Sequence, residues 1–474
     1  MDIDLFLSRV PRYQRFLTVD ELFDHARTVS RAHPDLARYQ EVGRSTRGEA
    51  IPMLTIGDGP QHVMVFACPH PNEPIGAMLV NFLGDELIAN SALREGRTWY
   101  LLPCVDPDGT RLNEGWFKGP FNIRNYAKHY YRPRPQDQVE WTFPVEYKTF
   151  IWKDPTPETR ALMNAIELAR PDVMYSLHNA GFGGVYYYIS APLAAAYPTL
   201  HRVPTERGLP MSLGEPEMPW AVEFHPAVFR VPRATDSYDY YEKYAQGDPA
   251  SYMTGGASSF EFAERVSAPF CLVTEAPYFK SAKIGDTSRI DEKRGEVVLQ
   301  GIERTRTILE TLDRLLAETR ADMTEGAIFL NAVTVFVESG LRSLPSQEKW
   351  AREAPGMDEP ATVAQQADAL WVGSFYRMLV GAMLQRAFEA QLAAAGAASG
   401  KAAPGGPVPG KGAAPGEAVR RAHDELETHI DEWARDIEVN LQYEVVPIRD
   451  LVQVQYGALL AVLDALDRHA SPIQ

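Results

Sequence analysis

The sequence predicts an α/β fold, a mixed and largely parallel sheet flanked by helices, with a helical region appended at the C-terminal end. Two observations carry this expectation. Short β-rich runs alternate with helix-patterned segments over the first 320 or so residues, the signature of strands brought side by side by helical crossovers. Beyond that point the pattern is helical, with little β-branched alternation, as in ADALWVGSFYRMLVGAMLQRAFEAQLAAA.

In chain order, Thr18 opens an amphipathic segment with a cap signal, and the segment stops near a proline. The runs IPMLTIG, HVMVFAC and TWYLLPCVDP follow as strands broken by turn residues. PETRALMNAIELARPD then reads as a helix and VMYSLHNA as a strand. GVYYYIS and PFCLVTEAPYF add further strands, and a long helix is expected from about Ile290 to Arg320. These elements define a catalytic domain over residues 1–320. A helical C-terminal region, 321–474, is interrupted at 396–417 by an Ala-, Gly- and Pro-rich stretch. That stretch reads as a mobile linker, because it has too little apolar surface to offset its ordering entropy. The segment after it regains a helical period and is expected to fold back on the preceding helices.

At 474 residues the chain exceeds the usual size of one core, and an apolar fraction of 45% supplies ample material to build it. The net charge of −16 argues against a general nucleic-acid or anionic-membrane surface, which needs a positive field. Cys68, Cys104 and Cys271 all lie in apolar runs and read as small buried hydrophobes rather than a disulfide framework. The N-terminal stretch lacks a secretion-signal pattern, and no apolar run reads as a membrane span, so a cytoplasmic protein is expected.

Three segments carry the chemistry. In VFACPHPNEPIGAM a strand ends at His70-Pro71-Asn72-Glu73, a spacing that turns one nitrogen and one carboxylate toward a single cation of the kind zinc accepts. In PDVMYSLHNAGFGG, His178 closes a second strand and points at the crevice beyond the sheet's C-terminal edge. In PFCLVTEAPYF the carboxylate of Glu275 stands among apolar neighbours, so it needs a metal, a proton or a partner, and near zinc it would accept a proton from water.

Taken together and in this order, the three segments resemble the zinc carboxypeptidase family, over about residues 15–310. The resemblance implies one Zn²⁺ per chain held by His70, Glu73 and His178, with Glu275 as the general base. The family marks its substrate site with Asn-Pro-Asp-Gly, an arginine soon after, and Gly-x-Asp-x-Asn-Arg-Asn. The counterparts here are Asp106-Pro107-Asp108-Gly109, Arg111 and Gly119-Pro120-Phe121-Asn122-Ile123-Arg124-Asn125. By resemblance Arg111 would stabilise the oxyanion and Arg124 would grip a substrate carboxylate, with Asn122 or Asn125 supplying an amide contact and Tyr252 the family's mobile tyrosine. Phe121 replaces an aspartate that orients a ligand histidine, and Ile123 replaces an anchoring asparagine. The run 129–144, HYYRPRPQDQVEWTFP, matches nothing in the family and is a candidate cleft lining.

The expected substrate is a peptide losing its C-terminal residue or, as an alternative, an N-acyl amino acid in the manner of the related aspartoacylase type. A catalytically silent binding or assembly protein is the reading from another class. In that reading the helical C-terminal region makes the functional contact; in any reading its position after the catalytic domain allows a lid, a dimer interface or a partner site.

Overall fold

The computed structural model describes residues 1–399 and 416–470, so most of the expected linker lies outside the described residues. Nine strands form the main sheet: β1 (Ala37–Arg44), β2 (Ala50–Gly57), β3 (Gln61–Ala67), β4 (Arg97–Leu102), β5 (Val173–His178), β6 (Tyr186–Ile189), β7 (Glu223–His225), β8 (Val228–Arg230) and β9 (Phe270–Glu275). Their order is β1-β2-β4-β3-β5-β9-β6-β8-β7. The central four, β4, β3, β5 and β9, run parallel. β1 and β2 add an antiparallel wing on one side, and β6 runs antiparallel to β9 on the other.

The parallel centre is buried on both faces, which explains its continuous apolar sequence. Alternate side chains feed two separate cores. Val63, Val65, Val173 and Tyr175 join one face, while Met64, Phe66 and Met174 join the other.

Eight longer helices frame the sheet: α1 (Val19–Ala32), α2 (Ile75–Ala89), α3 (Pro157–Ala169), α4 (Arg294–Thr319), α5 (Ala327–Glu353), α6 (Gly373–Ser399), α7 (Glu417–Leu441) and α8 (Ile448–Ala470). The Thr18 signal is realised as a capping box, in which Thr18 Oγ1 accepts from Glu21 N and Glu21 Oε2 accepts from Thr18 N. α2 follows the His70–Glu73 loop directly, and the sequence reading did not anticipate it. Ile75 through Leu79 and most residues after them are buried, so the helix has no polar face to give an amphipathic period. Gly76 lets it lie close on β5, because a Cβ there would clash with Leu177 Cβ.

The C-terminal helices depart from the expected arrangement. α6 packs with α4, α5 and α7 as a helical group, but α8 leaves that group and packs against α2, the helix Tyr197–Glu206 and β9. One apolar cluster therefore runs from Phe6 to Ala465. The reason is compositional: α8 buries Leu451, Val452, Val454, Tyr456 and Leu459 in near-continuous succession, which demands apolar neighbours on several sides. By length and composition α5 also suffices to cross a membrane, contrary to the sequence expectation, although it packs on α4 and α6.

Candidate metal centre and active-site cavity

His70, Glu73, His178 and Glu275 meet because three adjacent parallel strands end side by side. β3 runs out at Ala67, Cys68 takes a left-handed conformation (φ 53°), and the chain turns through His70 and Glu73 into α2. His178 is the last residue of β5, and Glu275, the last of β9, is its direct register partner. Ile75 N donates to Asn179 Oδ1 (3.1 Å), tying the start of α2 to the end of β5.

The donor atoms converge. His70 Nδ1 lies 3.2 Å from His178 Nδ1 and 3.1 Å from Glu73 Oε1, and His178 Nδ1 lies 3.1 Å from Glu73 Oε2. Ligand atoms about 2.1 Å from a tetrahedral ion stand about 3.4 Å apart, so this buried triangle is close to one face of a zinc coordination sphere. His178 Nε2 pairs with Ser176 Oγ (2.8 Å), which leaves Nδ1 for the centre of the triangle, and Glu140 Oε2 stands 3.9 Å behind it. His178 O accepts from Gln455 Nε2 of α8 at 2.9 Å. His70 Nε2, by contrast, is buried with no hydrogen-bond partner among the described residues. Phe121, which the resemblance set in place of an orienting aspartate, packs edge-on to Phe16 and Trp116. The donor set fits zinc.

The carboxylates set the field. Burial works to lower the pKa of both histidines. At His70 it prevails, with Arg132 adding to it, and the pKa falls to about 3. At His178 the Glu73, Glu275 and Glu140 carboxylates outweigh burial and raise the pKa to about 9. A zinc ion entering near neutral pH would displace the His178 proton. Burial also pushes the Glu275 carboxyl well above the ordinary range, opposed by His178 and reinforced by Glu73. Glu275 Oε1 is 3.9 Å from His178 Nδ1.

This group opens into a cavity of about 730 Å³. The run 129–144 contributes Tyr130, Arg132, Gln138 and Trp141 to its wall, and Tyr252 also lines it, its ring stacked on Tyr241 at 5.0 Å and its hydroxyl donating to Gln246 O. The structure does not bring the other expected substrate residues there. Arg111 is held by Glu49 (2.6 Å) and Asp20 (2.7 Å) away from the cavity. Arg124 is turned onto α7, where it pairs with Asp431 and with Glu438 (3.2 Å). Asn122 caps the helix Ile123–His129 by accepting from Asn125 N (2.8 Å), and Asn125 Nδ2 donates to Pro120 O (3.0 Å). Acidic and backbone partners elsewhere thus consume the four side chains that the motif resemblance assigned to substrate.

Arg132 is the cation that the sequence reading overlooked. Its Nη1 donates to Glu73 Oε1 (2.9 Å), its Nε to Gln138 Oε1 (3.3 Å) and its backbone N–H to Met383 Sδ of α6 (3.4 Å). Glu140, equally unforeseen as a support for His178, accepts from Ser259 N and Oγ at 2.9 and 2.7 Å. Both lie in the run that matched nothing familiar, and that mismatch was their only signal.

Residues 23–206 match the family described as zinc carboxypeptidase. The match covers less than half of the chain, and the matched segment supplies His70, Glu73 and His178 but not Glu275. Among solved structures, carboxypeptidase A from Helicoverpa armigera is similar at 15% identity and a TM-score of 0.36, over 58% of this chain and 69% of that one. Bovine thrombin-activatable fibrinolysis inhibitor, solved with a tick carboxypeptidase inhibitor, is similar at 10% identity and a TM-score of 0.35, over 72% of this chain and 97% of that one. The zinc carboxypeptidase family is zinc-dependent, and the buried His70, Glu73 and His178 group could hold a metal ion.

Proposed function

We propose that this chain removes the C-terminal residue of a peptide by zinc-assisted amide hydrolysis, with one zinc per chain on His70, Glu73 and His178. The observation that supports this most strongly is the register pairing of Glu275 with His178. It sets a carboxylate without a tight partner beside the three donors and facing the same cavity.

Zinc, when bound, supplies a Lewis acid for the scissile carbonyl and for water. Glu275 takes the proton from the attacking water and delivers it to the departing amine, the two halves of general acid–base catalysis. Its apolar setting raises its basicity until a nearby cation restores the ionised form. Arg132 takes the oxyanion-stabilising part that the motif resemblance gave to Arg111, because its guanidinium is the one beside Glu73. Glu140, Ser176 and Gln455 fix the His178 ring and backbone, so the donor triangle is preorganised.

A panel of peptides differing only at the C-terminal residue, run with and without a chelator, tests the proposal. Chelator-sensitive release of the terminal amino acid is the expected result. Turnover of N-acyl amino acids with intact peptides would replace this reading with the deacylase one.

A further inference from the structure

The cavity receives one wall from outside the family-matched segment. Ala369, Val372, Gly373, Tyr376, Val380 and Met383 recur every three or four residues and line it as a single helical face of α6 and the turn before it. The face is fixed close to the donor triangle. Tyr376 Oη accepts from Gly181 N (3.1 Å), three residues after His178 and itself on the cavity wall. Farther along, Arg386 grips the carbonyls of His129 (2.8 Å) and Tyr130 (2.9 Å), next to Arg132.

Arg377 is on this face too. Among the described residues three arginines line the cavity, and two of them are engaged, Arg132 by Glu73 and Arg233 by both oxygens of Glu264 at 2.7 Å. Arg377 makes no ion pair with any described residue, and its Nε is enclosed without a hydrogen-bond partner. A half-buried guanidinium at the cavity wall lacking an anion is costly, and a carboxylate is the planar partner its fork geometry suits. The arginine that the family motif would use, Arg124, is meanwhile neutralised by Asp431 and Glu438 outside the cavity.

We infer that Arg377, delivered by the C-terminal helical region, holds the free carboxylate of the substrate in place of Arg124. The helical region is then part of the binding site and sets its preference for chain ends. This inference rests on the proposed carboxypeptidase reading for the identity of the substrate, but its test is separable by measuring binding without turnover.

The full-length Glu275→Gln chain, loaded with zinc, is titrated calorimetrically with one peptide as the free acid and as the C-terminal amide. The free acid should bind about 30-fold to 5,000-fold more tightly, the range expected when a desolvated charge pair loses one partner. Adding Arg377→Gln should bring the two affinities together, while Arg377→Lys, which keeps the charge but not the fork, should retain part of the difference. Adding Arg124→Gln should leave the difference intact. Equal binding of acid and amide before Arg377 is altered overturns the inference, as does a preference that survives Arg377→Gln or disappears with Arg124→Gln. If the unaltered enzyme hydrolyses neither peptide yet the Arg377-dependent preference persists, the anchor stands and the hydrolytic reading falls. Thermal unfolding of each variant separates a lost anchor from a lost fold, and Arg377→Lys decides the matter if Arg377→Gln does not fold.

Discussion

Replacing Asp106 by asparagine should stabilise the protein, and more so as the pH rises. Asp106 caps the short helix Pro107–Asn113 by accepting from Gly109 N (2.8 Å), and it is buried. Burial raises its carboxyl from an ordinary 3.8 to about 7, Gly109 opposing and the carboxylates of Glu158 and Asp108 adding. The folded state therefore holds this proton more tightly than the unfolded chain. Its contribution is fully present below about pH 4 and is lost as the pH rises through about 7. A difference of about three pKa units corresponds to about 4 kcal/mol at pH 7.5, at 1.36 kcal/mol per unit. Asparagine keeps the acceptor for Gly109 and removes the charge, and it is the residue the family motif carries at this position. Urea unfolding of both proteins at pH 4, 5.5 and 7.5 should show curves that coincide at the lowest pH and separate progressively above it. Parallel shifts at all three values, or a variant less stable at pH 7.5, would refute the reasoning.

Glu275→Gln should keep the fold and the metal while turnover falls about 10²–10⁴-fold, the range of general-base contributions. Near wild-type turnover would remove Glu275 from the mechanism. Gln455→Leu leaves His178 O without its donor from α8 and should cost about 1–3 kcal/mol in stability. Because the same bond steadies a metal donor, zinc affinity measured by competition with a chelator should fall as well; an unchanged affinity would make α8 a packing element only.

The fold was legible where pattern and burial agree. β5 and β9 end in His178 and Glu275, and β3 ends three residues before His70, so mostly apolar runs that stop at the crevice locate that edge in the sequence. α2 was illegible for the complementary reason, since a helix enclosed on nearly all sides has no period to read. The candidate metal donors lie in short local motifs, so their spacing and order in the sequence pointed to them. The arginines do not. Arg111 and Arg124 stand at the right places in the chain, yet their directions are set by Glu49, Asp431 and Glu438, partners 62 to 314 residues away. Arg132 and Arg377 enter the cavity through contacts of similar range, such as that between Arg132 N and Met383 Sδ, which no local pattern encodes.

We propose that His70, Glu73 and His178 form a single zinc site required for hydrolysis. Metal analysis of the purified full-length chain beside His178→Ala, paired with peptide turnover, tests it most directly. The unaltered chain should hold one zinc, and the variant should lose both the zinc and the activity and recover neither when zinc is added back at the same concentration. Full zinc occupancy and full turnover in His178→Ala would contradict it.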